Sequence, residues 1–274
     1  MKKLRMILAF TMVVTMAVSG CGPRTVVRPT IISGTIKPVA LIAQAIAGTA
    51  LQVQVLAGDD GAPLLNAREL VSASAVVFQA GTPIDAWSNE MEQGGVRFVS
   101  LSAALEKGTP DGPWLSFRDS AEMARLMRDT LDALYPELKE QFDSRYAVFM
   151  DQCSQADGRL KRLVWSAGTR AFLAEDTTWS SAAGDFGLRV VVQPGLKGLD
   201  LSGAEAALRV ADWGSGEKTQ VVVVNVAPGG STGVSRQSNG IIACSLDALG
   251  ATAEGAFVPW LEQQLTLLGS AIGK

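Results

Sequence analysis

The chain of 274 residues contains no histidine. Histidine is the usual general acid or base near neutral pH and the commonest nitrogen ligand of zinc. Its absence excludes Ser-His-Asp and Cys-His catalysis and any zinc site built on imidazole. Cysteine is scarce, three in all, and no Cys-x-x-Cys pair occurs, which excludes thiolate zinc clusters and thioredoxin-like redox motifs. Basic charge is not in excess: three of the 24 Lys and Arg fall in the first twenty residues, none of the 27 Asp and Glu does, and acids outnumber bases by six beyond them. That balance excludes a nucleic-acid partner, whose affinity rests on clustered basic side chains. Solenoid repeats and a Gly-x-Ser-x-Gly elbow are missing too. The run Gly229-Gly230-Ser231-Thr232-Gly233-Val234-Ser235 has Val234 where a phosphate loop needs lysine, and it reads as a loop opening a helix. No carboxylate pair stands out for glycoside chemistry, so the sequence reads as that of a non-enzyme.

What is present begins at the N-terminus. Lys2, Lys3 and Arg5 precede an apolar run from Met6 to Ala17, which is too short for a membrane span and ends at Val18-Ser19-Gly20-Cys21. The arrangement resembles a bacterial lipoprotein signal, which implies cleavage after residue 20 and acylation of Cys21. Residues 1–20 are then signal, and 21–29 a lipidated tether that holds an extracytoplasmic domain to membrane lipid. In such a compartment Cys153 and Cys244 either pair as a disulfide or remain buried free thiols, with geometry deciding.

Beyond the tether, strand and helix signals alternate. Strands are predicted at 30–35, 51–57, 75–80 and 96–101, with helices from Lys37 to Ala47, near 66–72 and from Pro83. Residues 119–162 read as a long helical region, interrupted by Pro136, whose Met123, Leu126, Met127 and Leu131 form a core stripe. Strands follow at 163–166, 188–193, 220–226 and 240–244, and a closing helix at 257–272. The expected fold is α/β: two lobes (30–118 and 163–274) with mainly parallel sheets flanked by helices, joined by one long helix, with a ligand cleft between them.

Several local motifs then align with a known pattern. Thr35-Ile36-Lys37-Pro38, Ile46-Ala47-Gly48, Gly81-Thr82-Pro83-Ile84-Asp85-Ala86-Trp87, Pro113-Trp114-Leu115, Ala171-Phe172, Phe186-Gly187-Leu188 and Leu246-Asp247-Ala248-Leu249-Gly250 occur in this order. Together they resemble the substrate-binding lipoproteins of zinc and manganese ABC importers. The resemblance implies a monomer that delivers cargo to an ABC permease, with metal held between the lobes by three histidines and a carboxylate. The histidine positions fall here on the loop of Asp59 and Asp60, on Gly112 before the Pro-Trp pair, and on Thr169-Arg170; the carboxylate falls on Asp247. A further acidic position falls near Asn225 to Pro228, where there is no acid.

Three readings stay open. Oxygen ligands (Asp247, Asp59 or Asp60, Ser116 and carbonyls) hold a divalent metal, which favours manganese, magnesium or calcium over zinc. Alternatively the cleft takes another small solute, Arg170 repelling cations and pairing with an anion, or it has lost solute binding and kept a docking role. In the third reading the fold is a protein-interaction module. Each residue also has a plainer role: Asp59-Asp60-Gly61 as a turn, Asp247 as a helix cap, Trp114 as core, Arg170 as a surface cation.

Overall fold

The computed structural model describes residues 29–273 apart from 93–94, 106–110, 168, 197–198, 214–220, 227 and 229. The signal, Cys21 and most of the tether therefore lie outside the described residues. Every element described lies between Ile31 and Ile272.

Short strands rich in Val, Ile and Phe build two sheets. In the first lobe β1 (Ile31–Gly34), β2 (Gln52–Val55), β3 (Val76–Gln79) and β4 (Arg97–Ser100) are all parallel, in the order β2-β1-β3-β4. In the second lobe β5 (Ala171–Ala174), β6 (Arg189–Val192), β7 (Val221–Asn225), β8 (Gly233–Arg236) and β9 (Ile242–Leu246) lie in the order β6-β5-β7-β9-β8. Only the edge strand β8 is antiparallel. The central strands β3 and β5 are buried at all four positions, as expected for parallel strands covered on both faces.

Helix α1 (Lys37–Ala47) carries Pro38 in its first turn, where the missing N–H costs nothing, and stops at Gly48 with φ +60°. A side chain at Gly48 would also overlap the guanidinium of Arg145. Helix α2 (Ala67–Ala73) is short. The expected helix from Pro83 forms as a 3-10 segment, Pro83–Met91, broken where Asp85 leaves helical geometry.

The connection between lobes is a helical hairpin. Helix α3 (Phe117–Leu134) starts at the lobe junction, capped by Ser116, and ends beside Tyr135, whose hydroxyl donates to the Pro29 carbonyl at 2.5 Å. Pro136 forces the turn. Helix α4 (Lys139–Trp165) then runs back for 27 residues, about 40 Å, from the outer end of the first lobe to the outer end of the second. The remaining helices are α5 (Ser180–Asp185), α6 (Ala204–Trp213) and α7 (Phe257–Ile272).

One apolar core runs through both lobes and this hairpin. Ile42 and Ile46 of α1, Met123 and Met127 of α3, Phe149 of α4 and Phe257 and Leu265 of α7 belong to it. Phe149 and Phe257 meet at 5.9 Å between ring centroids, and Trp260 lies 5.8 Å from Phe257. The methionine stripe of α3 is core, as expected.

Two expectations are corrected and one open alternative is decided. Leu163 to Ser166 is not a strand: α4 continues through Trp165 because Leu160 and Val164 extend its buried stripe at helical spacing. The strand follows at Ala171 instead. The glycine-rich run leads into strand β8 rather than a helix, since Gly233–Arg236 pairs with Ile242–Ser245. Finally, Cys153 and Cys244 do not pair; each is a buried free thiol, on α4 and on β9.

Burial pushes both thiols up to about 12, far above a free cysteine. A thiol reagent in mildly alkaline buffer should therefore label neither residue in the native protein from Gly22 onward and both after denaturation. A denatured, unreduced sample that gives no free thiol would establish the disulfide instead.

Candidate functional site

The carboxyl ends of both sheets face each other across the lobe junction, and a cleft of about 190 Å³ lies there. Ile84, from the segment after β3, and Asp111 and Trp114, ahead of α3, form one wall. Asp176 and Thr178 after β5, Asn225 and Val226 at the end of β7, and Ala248 and Leu249 after β9 form the other. This is where ligands of α/β folds sit, because strand ends leave a crevice with free backbone and polar side chains. Two acidic residues line the cleft, one from each wall, and among the described residues none that lines it is cationic. Asp111 accepts from the Thr177 hydroxyl, so the walls are already bridged. Asp176 Oδ1 accepts the Thr178 amide at 2.9 Å. Asn225 Oδ1 accepts Trp179 Nε1 at 2.7 Å.

The walls are set by two buried carboxylates that do not enter the cleft. Asp85 accepts from Thr35 Oγ1 (2.7 Å) and from the amides of Ala80 (2.6 Å) and Thr82 (3.0 Å), which gathers the strand ends of the first lobe. Asp247 does the same in the second. Its Oδ1 accepts the amides of Leu249 and Ala251 at 3.1 Å, and its Oδ2 accepts Thr252 N (2.7 Å), Thr252 Oγ1 (2.8 Å) and Trp260 Nε1 (3.2 Å). A carboxylate offers about four lone-pair sites. Five donors fill Asp247, and it is 2% exposed. The loop it orders joins the lobes: Trp114 Nε1 donates to the Ala248 carbonyl at 2.7 Å, and Lys37 Nζ to that of Ala251 at 3.4 Å.

The expected ligand positions fare unequally. Trp114 is both core, at 1% exposure, and cleft wall. Asp247 lies at the junction, where its oxygens accept five hydrogen bonds from its own loop and Trp260 and make it a structural knot. Asp59 and Asp60 are exposed and outside the cleft lining, where Asp60 Oδ1 closes a turn on the Ala62 amide. Their loop reaches the rim only by its backbone, Gly61 receiving Trp87 Nε1 at 3.0 Å. Gly112 stands at the junction, but a side chain there would overlap the Thr178 carbonyl oxygen, so the backbone of the opposite lobe fills the space. Thr169 and Arg170 precede β5 and lie at its amino end, away from the cleft; Arg170 donates to the Trp165 carbonyl. The cleft residue of that segment is Asp176, because Ala171-Phe172, the pair that anchors the resemblance there, opens β5 while the cleft lies after its carboxyl end. Asp111 was equally missed, although it adjoins Gly112. Among the described residues no group of three or more Cys, Asp or Glu could hold a metal ion.

Ser116 lies behind the cleft. It accepts the Asp119 amide at 3.0 Å as the cap of α3 and donates to Asp185 Oδ2 of α5 at 2.5 Å. Arg118 pairs with the other oxygen of Asp185 at 3.3 Å. Burial pushes the Asp185 carboxyl above its ordinary value, against the opposing pull of Ser116 and Arg118. A carboxyl raised on folding keeps a proton that the unfolded chain has released, so its contribution to stability falls as pH rises through that window.

Two outcomes follow. Asp247→Asn, which cannot accept all five bonds, should cost about 2–4 kcal/mol in urea unfolding of metal-free protein; a metal-free protein indifferent to the change would contradict the knot. Asp185→Asn should gain on wild type as pH rises above the ordinary carboxylate range, and a difference that stays flat with pH would contradict the raised carboxyl.

With the geometry in place, the chain can be set beside known proteins. It matches the family model of ZnuA, the periplasmic component A of zinc-uptake complexes, over residues 32–271. No curated protein sequence matches it. Among solved structures it is similar to the Zn(II)-bound ZnuA-like domain of AdcA from Streptococcus pneumoniae, at 18% identity and a TM-score of 0.71, covering 89% of this chain and 99% of that one. It is also similar to the metal-dependent lipoprotein YcdH from Bacillus subtilis, at 15% identity and a TM-score of 0.74, covering 89% and 99%. Against the longer Zn(II)-bound AdcA of Streptococcus pneumoniae the identity is 17% and the TM-score 0.70, covering 89% of this chain and 58% of that one. Identities this low establish the shared fold, and the family model, matched across both lobes, establishes more: the chain belongs to the ZnuA family of periplasmic solute-binding components.

Proposed function

We propose that this protein is the extracytoplasmic binding component of an ABC importer, and that it captures a hard divalent cation between its lobes on oxygen ligands. The chain is held at the membrane by lipid on Cys21 and delivers its cargo to a permease. The observation that carries the reading is the pair of acidic residues, Asp111 and Asp176, lining one small cleft from opposite lobes with no cationic residue among its described lining.

The family name points to zinc, and the residues present do not fit a zinc centre. No histidine exists, Asp247 has no lone pair to give, and the Gly112 position is filled by backbone. Oxygen donors fit better. Asp111, Asp176 and the Thr178 hydroxyl offer two negative charges and a neutral oxygen, and water would complete the shell. Manganese, calcium and magnesium accept such ligands. Zinc loses the nitrogen ligands that give it an advantage. A cation bridging the two walls would replace part of the Asp111–Thr177 contact and tie the lobes more firmly.

The test is thermal unfolding of the protein from Gly22 onward, stripped with chelator and titrated with manganese, calcium and zinc. At about a hundred times the dissociation constant a bound ion stabilises by about 2.7 kcal/mol, a rise of roughly 5–10 °C for a domain of this size. Manganese or calcium should give that rise, and Asp111→Asn with Asp176→Asn should remove it. Protein that ignores all three ions would sink the cation reading, leaving a family member that takes another solute or serves as an interaction module.

A further inference from the structure

The outer end of the second lobe, away from the cleft, has a chemistry that solute capture does not use. Trp165, the last residue of α4, is 78% exposed and is the only aromatic among the described large apolar side chains that face solvent. Two arginines lie beside it, and two more stand at the same end of the sheet. Arg162 is exposed one turn earlier on the same helix. The Arg170 guanidinium donates to the Trp165 carbonyl at 3.3 Å, and the Arg170 carbonyl accepts the amide of Arg189, the exposed first residue of β6. Across the sheet, Arg236 of β8 is exposed opposite Ile242, where β9 begins, at the same end. Asp212, near the end of α6, is an exposed acid among the described residues of this lobe. Four exposed arginines thus gather on a chain that otherwise carries an excess of acids.

We propose that this end is a docking surface for an anionic phospholipid bilayer. Indole rings prefer the headgroup level, where an apolar face and a polar N–H are both served. Arginines near an anionic leaflet are drawn to it, and the attraction falls off within a Debye length. The position of the tether agrees. The described chain begins at Pro29, beside Tyr135 at the outer end of the first lobe, and the stretch from residue 22 to 28 spans at most about 25 Å. A lipid on Cys21 therefore holds the first lobe near the membrane, and the arginine end holds the second about 40 Å away along α4. The lipid at one end and the arginine surface at the other lay the long axis along the membrane and leave neither lobe to swing. This inference rests on the extracytoplasmic, membrane-tethered placement and is independent of which solute the cleft takes.

The experiment is co-sedimentation of unlipidated protein from Gly22 onward, which contains every described element, with vesicles of phosphatidylcholine alone or mixed with phosphatidylglycerol. Binding should appear with the anionic vesicles, fall as salt rises, and weaken on the order of fivefold for each of Arg162→Glu and Arg170→Glu. Trp165→Ser should weaken it too. Arg97→Glu, the same charge change on an exposed arginine at the outer end of the first lobe, should leave it unaltered. Equal binding to both vesicle types, no binding to either, or a loss in Arg97→Glu as large as in Arg170→Glu would overturn the proposal.

Discussion

The buried carboxylate of Asp247 is the constraint on which the meeting of the two lobes depends. An ionised group taken out of water is costly unless each lone pair is satisfied, and here five donors satisfy it. The consequence is a loop with a single conformation. That loop presents the Ala248 carbonyl to Trp114 and the Ala251 carbonyl to Lys37, and it places Ala248 and Leu249 in the cleft wall. Asp85 performs the matching task on the other side. The cleft is thus framed by two carboxylates that never reach it.

This use of Asp247 bears directly on function. In the family pattern that position serves metal, yet here its lone pairs are committed to the fold. The space at Gly112 is likewise committed, to the Thr178 carbonyl. What the cleft retains is a different acidic pair, Asp111 and Asp176, one on each lobe. A cation held there would add Coulombic attraction between walls that touch already, so capture would need little rearrangement.

Much of this was legible in the sequence. Helices α1 and α7 fall where proline, glycine and apolar spacing put them, and the parallel strands follow from short Val-rich runs. The lobe order and the resemblance to metal-importer binding proteins also came from local motifs. The errors have physical origins. Leu163 and Val164 look like part of a strand, but both pack close against Gly269 of α7 and Val164 is buried there, which keeps the segment helical. The resemblance places the third ligand just before Ala171-Phe172, which is the amino end of β5, whereas the cleft opens at its carboxyl end, by Asp176. Asp111 was invisible because turn composition and ligand composition are the same residues, and only packing against Thr177 separates them. No sequence pattern could show that Asp247 is saturated, since four of its five donors come from loop residues whose geometry is set by folding.

The central claim is that the cation site has moved from the Asp247 position to the pair Asp111 and Asp176. Anomalous scattering from crystals grown with manganese addresses it most directly. The account predicts a peak in the cleft bound by Asp111 and Asp176, with none beside Asp247. A peak on Asp247, or a cleft without metal in protein saturated with manganese, would contradict it.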